Sequence, residues 1–245
     1  MCTNDFENNA IDFLLYSYFN FDTSTSPEEM FDLMIKKAYE DATQQGAYNT
    51  LLQTDELKKA SAKAYNDAVE ILKDRINCLL SANDETDIQM ESSYDSWHET
   101  TCKEIKKIYN NKLNELFTYG NAQKWVNMTM KYILIVNSLI GKFEKICEIK
   151  EYLHIPVDSY MIEAIWDVTK IRLPLIEEKL LKNGTRGAYL PEKVKAWSKW
   201  DINDYIVFRD SLRNYLKEKN EKSPIEWEGP TWIGIAKKRN KSRLI

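Results

Sequence analysis

Apolar residues return every third or fourth position through most of this chain, and strand-type alternation is hard to find anywhere. Only 7 Gly and 6 Pro interrupt that register over 245 residues, and runs of Val or Thr are few. A pattern of this kind folds as an all-α protein, either one large domain or two lobes of about 100 to 150 residues each. Helix starts can be read directly. In "TSPEEMFDLMIKKAYEDA", Ser26 stands as a cap, Pro27 takes the first helical position and Glu29 follows three residues after the cap. "TDELKKASAKAYNDAVEILKDRINCLLS" reads as one long amphipathic helix. "SANDETDIQMESSYDS", residues 81–96, is polar and aperiodic and reads as a loop. A helix is expected from about Trp97 to Phe117, then a turn at Tyr119-Gly120-Asn121, then another helix through "AQKWVNMTMKYILIVNSLI". Gly141 opens a charged connection, and further helices are expected from about Pro174, Asp201 and Gly229.

Charge is distributed unevenly. Residues 1–100 hold 7 Lys+Arg against 20 Asp+Glu, whereas residues 101–245 hold 27 against 18, within an overall net charge of -4. The tail "KKRNKSR", Lys237 to Arg243, contributes five positive charges. A basic second half suits a polyanionic partner, although a basic tail is often only solvated. The cysteines Cys2, Cys78, Cys102 and Cys147 show no paired spacing, and His98 and His154 are not arranged with them as metal ligands, which points to a reduced, cytoplasmic protein without structural zinc. The apolar run "YILIVNSLI" is too short to span a bilayer, and the acidic start "MCTNDFENN" is neither a secretory signal nor a transit peptide, so no membrane partner is expected.

Two blocks carry chemistry. In "YGNAQKWVNMTMKY", a helix, a glycine turn and a second helix would form a helix-hairpin-helix, whose backbone N–H groups face an anion such as a phosphate. A glycine between helices is also the commonest plain C-cap. Lys124 and Lys131 lie two turns apart on one face of the second helix. In "IPVDSYMIEAIW", Pro156 holds the approach to Asp158 extended, and Asp158 stands where an N-cap belongs.

Together these residues resemble the helix-hairpin-helix DNA glycosylase superfamily, most closely its archaeal 8-oxoguanine DNA glycosylase branch. The resemblance lies in "QKWVNMTMK", in "IPVD" 34 positions after the first lysine, and in "SPIEWEGPTWIGIA" from Ser223; it covers about residues 116–168 and 205–237. It implies two helical lobes with a DNA- and base-binding cleft between them. Residues 1–95 would pack with 200–245 as one lobe, and 96–199 would form the hairpin lobe. It implies a DNA glycosylase and AP lyase with Lys124 as nucleophile and Asp158 as essential carboxylate. Glu228, Trp232 and Met128 would form the base pocket, and Gly120, Asn121, Ala122 and Lys131 would contact DNA phosphate. The expected partner is double-stranded DNA bearing a modified base, met by a monomer that needs no metal or organic cofactor.

Glu228 stands where the family has the shorter aspartate, so base identity stays open between an 8-oxoguanine-like lesion and a deliberately modified base of foreign DNA. A helix-hairpin-helix DNA-binding protein without the reaction is the alternative of another class. The helix dipole is expected to lower the Lys124 pKa from the first turn of its helix. Lys131 serves either phosphate or helix packing, and His154 either orients Asp158 or simply packs. Trp97, Trp125, Trp166, Trp197, Trp200 and Trp227 read as core, and Cys147 as a spectator.

Overall fold

Ser26 does start a helix: its hydroxyl accepts the Glu29 N–H at 3.2 Å, and Pro27 is the first helical residue. In the computed structural model, which describes residues 3–43, 48–81, 91–113, 115–169, 171, 173–174, 194–221 and 223–242, every regular element is helical. The α-helices are α1 (Thr3–Phe19), α2 (Pro27–Thr43), α3 (Asp55–Ser81), α4 (Glu91–Leu113), α5 (Tyr119–Ile140), α6 (Ser159–Val168), α7 (Ile202–Glu218) and α8 (Pro224–Ser242). Short 3₁₀ turns lie at Asn49–Leu51, Glu144–Cys147, Lys150–Tyr152 and Trp197–Lys199. None of the described helices is long and apolar enough to cross a membrane.

The helix α5 is the axis of the molecule, because its first turns are buried on nearly every side. It packs against α2 and α4, touches α7, and receives the Trp197–Lys199 turn at its N-terminal end. Trp125, fully buried, donates its indole N–H to the Ile35 carbonyl at 3.0 Å and stacks on Tyr65, which locks α5 to α2 and α3. The apolar core is one continuous cluster from Leu15 to Ile235. The N-terminal helices therefore pack through α2 on α5 and through α3 on α4, while α8 packs on α6. The expected pairing of residues 1–95 with 200–245 is not the main packing, and the boundary placed at residue 95 falls inside α4.

Three sequence-level boundaries move. The helix α4 begins at Glu91 rather than Trp97, and α8 at Pro224 rather than Gly229, so Pro230 lies within a helix. The helix expected from Pro174 lies outside the described residues. The third change matters most, because Tyr119-Gly120-Asn121 is not a turn but the first turn of α5. Thr118 is the N-cap: its hydroxyl accepts the Asn121 N–H at 3.1 Å, and the Asn121 side chain accepts the Thr118 N–H in return.

A buried polar network joins α4, α7 and the segment ahead of α6. His154 bonds Asp95 at 2.7 Å and Tyr205 at 2.9 Å, Arg213 grips the same Asp95 with two nitrogens, and His98 lies against His154. Burial drives the His154 pKa down to about 4, with the Asp95 hydrogen bond opposing, and burial likewise holds His98 well below its ordinary value. Burial raises Asp95, but hydrogen bonds from His154 and Arg213 prevail and hold it well below the carboxylate range. The sign of the pH dependence follows. Between about pH 6.5 and 4 the unfolded chain binds a proton on His154 and the folded chain does not, so stability present above that window is lost within it. That lost contribution is on the order of 3 kcal/mol for His154, and His98 adds to it with the same sign. Urea unfolding at pH 7.5 and at about 4.5 should show the midpoint falling; an unchanged midpoint would contradict a neutral buried pair.

Candidate active site around Lys124 and Asp158

Asp158 is the N-cap of α6, as expected. One carboxylate oxygen accepts the N–H groups of Tyr160 and Met161, both at 2.9 Å. The other accepts the indole N–H of Trp232 at 3.1 Å. What sets Asp158 relative to α5 is Asn127, whose side-chain amide donates to the Ile155 carbonyl at 3.0 Å and to the Tyr205 hydroxyl at 2.9 Å. Val157, beside Asp158, is fully buried, so the extended approach is fixed by packing as well as by Pro156.

Lys124 lies one turn after Gly120, and its Nζ sits 4.4 Å from the centre of the Trp197 ring. Among the described residues it makes no hydrogen bond or ion pair. Burial lowers the pKa of its ammonium, against the opposing charges of Asp158 and then Asp41. The cause differs from the expected one: α5 begins at Tyr119, so Lys124 is in the second turn, and desolvation outweighs the dipole.

Lys131 does not wait for phosphate. Its Nζ bonds both carboxylate oxygens of Glu228, at 2.8 and 2.6 Å, and Glu228 is 1 % exposed. Burial raises the Glu228 pKa, with Lys131 pulling it down and Asp158 pushing it further up. Desolvation thus exceeds the attraction on the carboxylate side, so the pair adds little to stability, yet breaking it strands a buried charge. Lys131→Met should destabilise the protein by about 3 kcal/mol at neutral pH, and Lys131→Met/Glu228→Leu should recover most of that. A full double-mutant cycle by urea unfolding checks this, and additive losses would contradict it.

Trp232 packs its ring on Tyr160, 4.7 Å between centroids, and its helix is held to α6 by Arg239, which bonds Glu163 at 2.7 Å and lies over the Tyr160 ring. Arg239 and Lys238 both pair with Glu163, so part of the basic tail serves packing. Met128, one turn beyond Lys124, is half-buried against the core.

The expected phosphate contacts at the hairpin require correction. Gly120, Asn121 and Ala122 are buried, and their N–H groups are taken by the Trp200 carbonyl at 3.0 Å, the Thr118 hydroxyl at 3.1 Å and the Thr118 carbonyl at 3.2 Å. Nothing remains there to bind an anion. His154 bonds Asp95 and Tyr205 and packs rather than orienting Asp158. Trp125 and Trp200 are core, as expected; Trp166 is exposed, and Trp197 covers Lys124, a role that no local signal announces. Cys147 is exposed and accepts from the Asn137 side-chain amide.

The site thus joins a desolvated lysine, a carboxylate with one oxygen turned to a tryptophan, and a buried lysine–glutamate pair. The chain gave no match to any family model, to any curated protein or to any solved structure.

Proposed function

We propose that the chain is a DNA glycosylase with AP lyase activity that excises a base of the guanine type, such as 8-oxoguanine, from a nucleotide extruded from the duplex. One observation carries the reading. Lys131 on α5 bonds Glu228 on α8, Asp158 ahead of α6 bonds Trp232 on α8, and Lys124 on α5 lies within electrostatic reach of Asp158, so three separate parts of the sequence converge. Lys124 is half-buried under the Trp197 ring and, among the described residues, has no hydrogen-bond or ion-pair partner, which suits an amine kept for chemistry.

In the proposed reaction the uncharged Lys124 amine attacks C1′ while the bond from C1′ to the base breaks. The base departs with the bonding electrons and takes up a proton, and the ring oxygen leaves C1′ as the imine forms. The Asp158 carboxylate, one oxygen on the α6 amides and the other on the Trp232 indole, supplies the negative charge that stabilises positive charge developing on the sugar. Lysine chemistry of this kind requires a depressed pKa, which burial supplies. The Glu228 carboxylate is the acceptor proposed for N1–H and the exocyclic amine of a guanine; both its oxygens are held by Lys131 and the side chain is buried, so the base reaches it only as that ion pair opens. Because the first-turn amides of α5 are occupied, the DNA backbone is gripped elsewhere, and Lys237 and Lys241 of the basic tail, both exposed, are the cations proposed for it.

The test is incubation with single-lesion duplexes in borohydride, which reduces an imine to a stable amine. An 8-oxoguanine duplex should become covalently attached, whereas one bearing uracil or a bulky 5-modified cytosine should not. Attachment of the modified pyrimidine instead would move the substrate to modified foreign DNA, and attachment of none would leave the reading without support.

A further inference from the structure

The turn carrying Trp197 is clamped to α5 at the backbone. The Gly120 N–H bonds the Trp200 carbonyl at 3.0 Å, and the Thr118 hydroxyl bonds the Ser198 carbonyl at 2.9 Å. Trp200, fully buried, donates its indole N–H to the Lys195 carbonyl at 2.9 Å, which ties the turn from its other side. A Cβ on Gly120 would stand 1.9 Å from the Trp197 carbonyl oxygen, so the backbones approach as closely as the glycine allows. The turn therefore holds the Trp197 indole against Lys124, one helical turn farther along α5.

We propose that Trp197 is the positioning residue for Lys124: its indole, fixed by the Gly120 approach, keeps water from the Lys124 amine and aims it toward Asp158. The inference rests on the preceding reading only in that Lys124 acts as an amine nucleophile. Two effects of the ring oppose each other. Its π-face attracts the ammonium, whereas the water it excludes from the half-buried lysine disfavours the charged form. Desolvation wins, so exposing the amine returns it toward the ordinary lysine pKa. The other charges around the amine are Asp158 ahead of α6 and Asp41 on α2, with Asp41 itself paired to Lys37 and Tyr132, and the Lys131–Glu228 pair beyond Asp158.

Trace acetylation with acetic anhydride from roughly pH 6 to 10, read by mass spectrometry on the peptide containing Lys124, gives the amine's titration without any DNA. In Trp197→Leu and Trp197→Ala the titration should move up from that of the wild type, and Lys124 acetylation at neutral pH should fall by about threefold or more, since each unit costs about tenfold in free amine. Trp197→Phe, which keeps a ring, should lie between the wild type and the Leu variant. If circular dichroism shows that the Ala variant does not fold, the Leu and Phe variants decide. A titration that stays in place or moves down would overturn the proposal. Because this readout is independent of lesion trapping, failure of the glycosylase reading and failure of the Trp197 role are told apart.

Discussion

Gly120→Ala should be the most damaging single-methyl change in this protein, lowering stability by about 3 kcal/mol or more. The added Cβ would meet the Trp197 carbonyl oxygen at 1.9 Å, the Trp197 carbonyl carbon at 3.0 Å and the Ser198 Cα at 3.3 Å. All three are backbone atoms, so no side chain can rotate away. Relief requires the turn to lift, which breaks the Gly120–Trp200 and Thr118–Ser198 hydrogen bonds and draws buried Trp200 from the core. The helix itself would welcome alanine, by up to about 1 kcal/mol, so a loss isolates the clash. Gly234→Ala on α8 is the control: among the described residues no atom beyond its own helix backbone and chain neighbours lies within 4 Å of its Cβ, and it should be neutral or slightly stabilising. Urea unfolding of both variants checks this, and similar midpoints would show that the turn does not sit on α5.

The same glycine explains why the sequence suggests a turn where the structure has a helix. A glycine after an aromatic residue, between two helical patterns, resembles a hairpin turn, and only the tertiary approach of the Trp197 turn shows why a side chain is excluded. A local signal was present two residues earlier: Thr118 followed three residues on by Asn121 is a capping arrangement that starts the helix at Tyr119. Ser26 and Asp158 were legible because their caps depend on neighbours within three residues. The helix α1 was not, because its apolar side chains run around it and Phe6, Phe13 and Leu14 remain exposed, which blurs any single face.

For the site, sequence spacing suffices to put Lys124 and Lys131 on one helical face. That Lys131 bonds Glu228, 97 positions away, and that Trp232 bonds Asp158 depend on how α8 docks on α6, which the sequence does not spell out. The Lys124 environment shows the same division. Its second-turn place weakens the dipole argument, while the covering indole comes from a segment more than 70 residues later with no periodic signal.

Lys124 should be the atom source of the covalent bond to DNA, and replacing it should remove that bond completely. Lys124→Gln deletes the amine but only one positive charge, so affinity for duplex should change little while borohydride trapping falls by orders of magnitude. Lys131→Gln keeps the amine of Lys124 but frees the Glu228 carboxylate, so it should weaken base selection and stability without abolishing trapping on a substrate held at high concentration. The direct measurement is therefore trapping of the two variants beside the wild type on one 8-oxoguanine duplex, with binding measured in parallel. A covalent complex is expected for the wild type and for Lys131→Gln and none for Lys124→Gln at comparable binding; a complex with Lys124→Gln that is lost in Lys131→Gln would contradict the assignment of Lys124 as nucleophile.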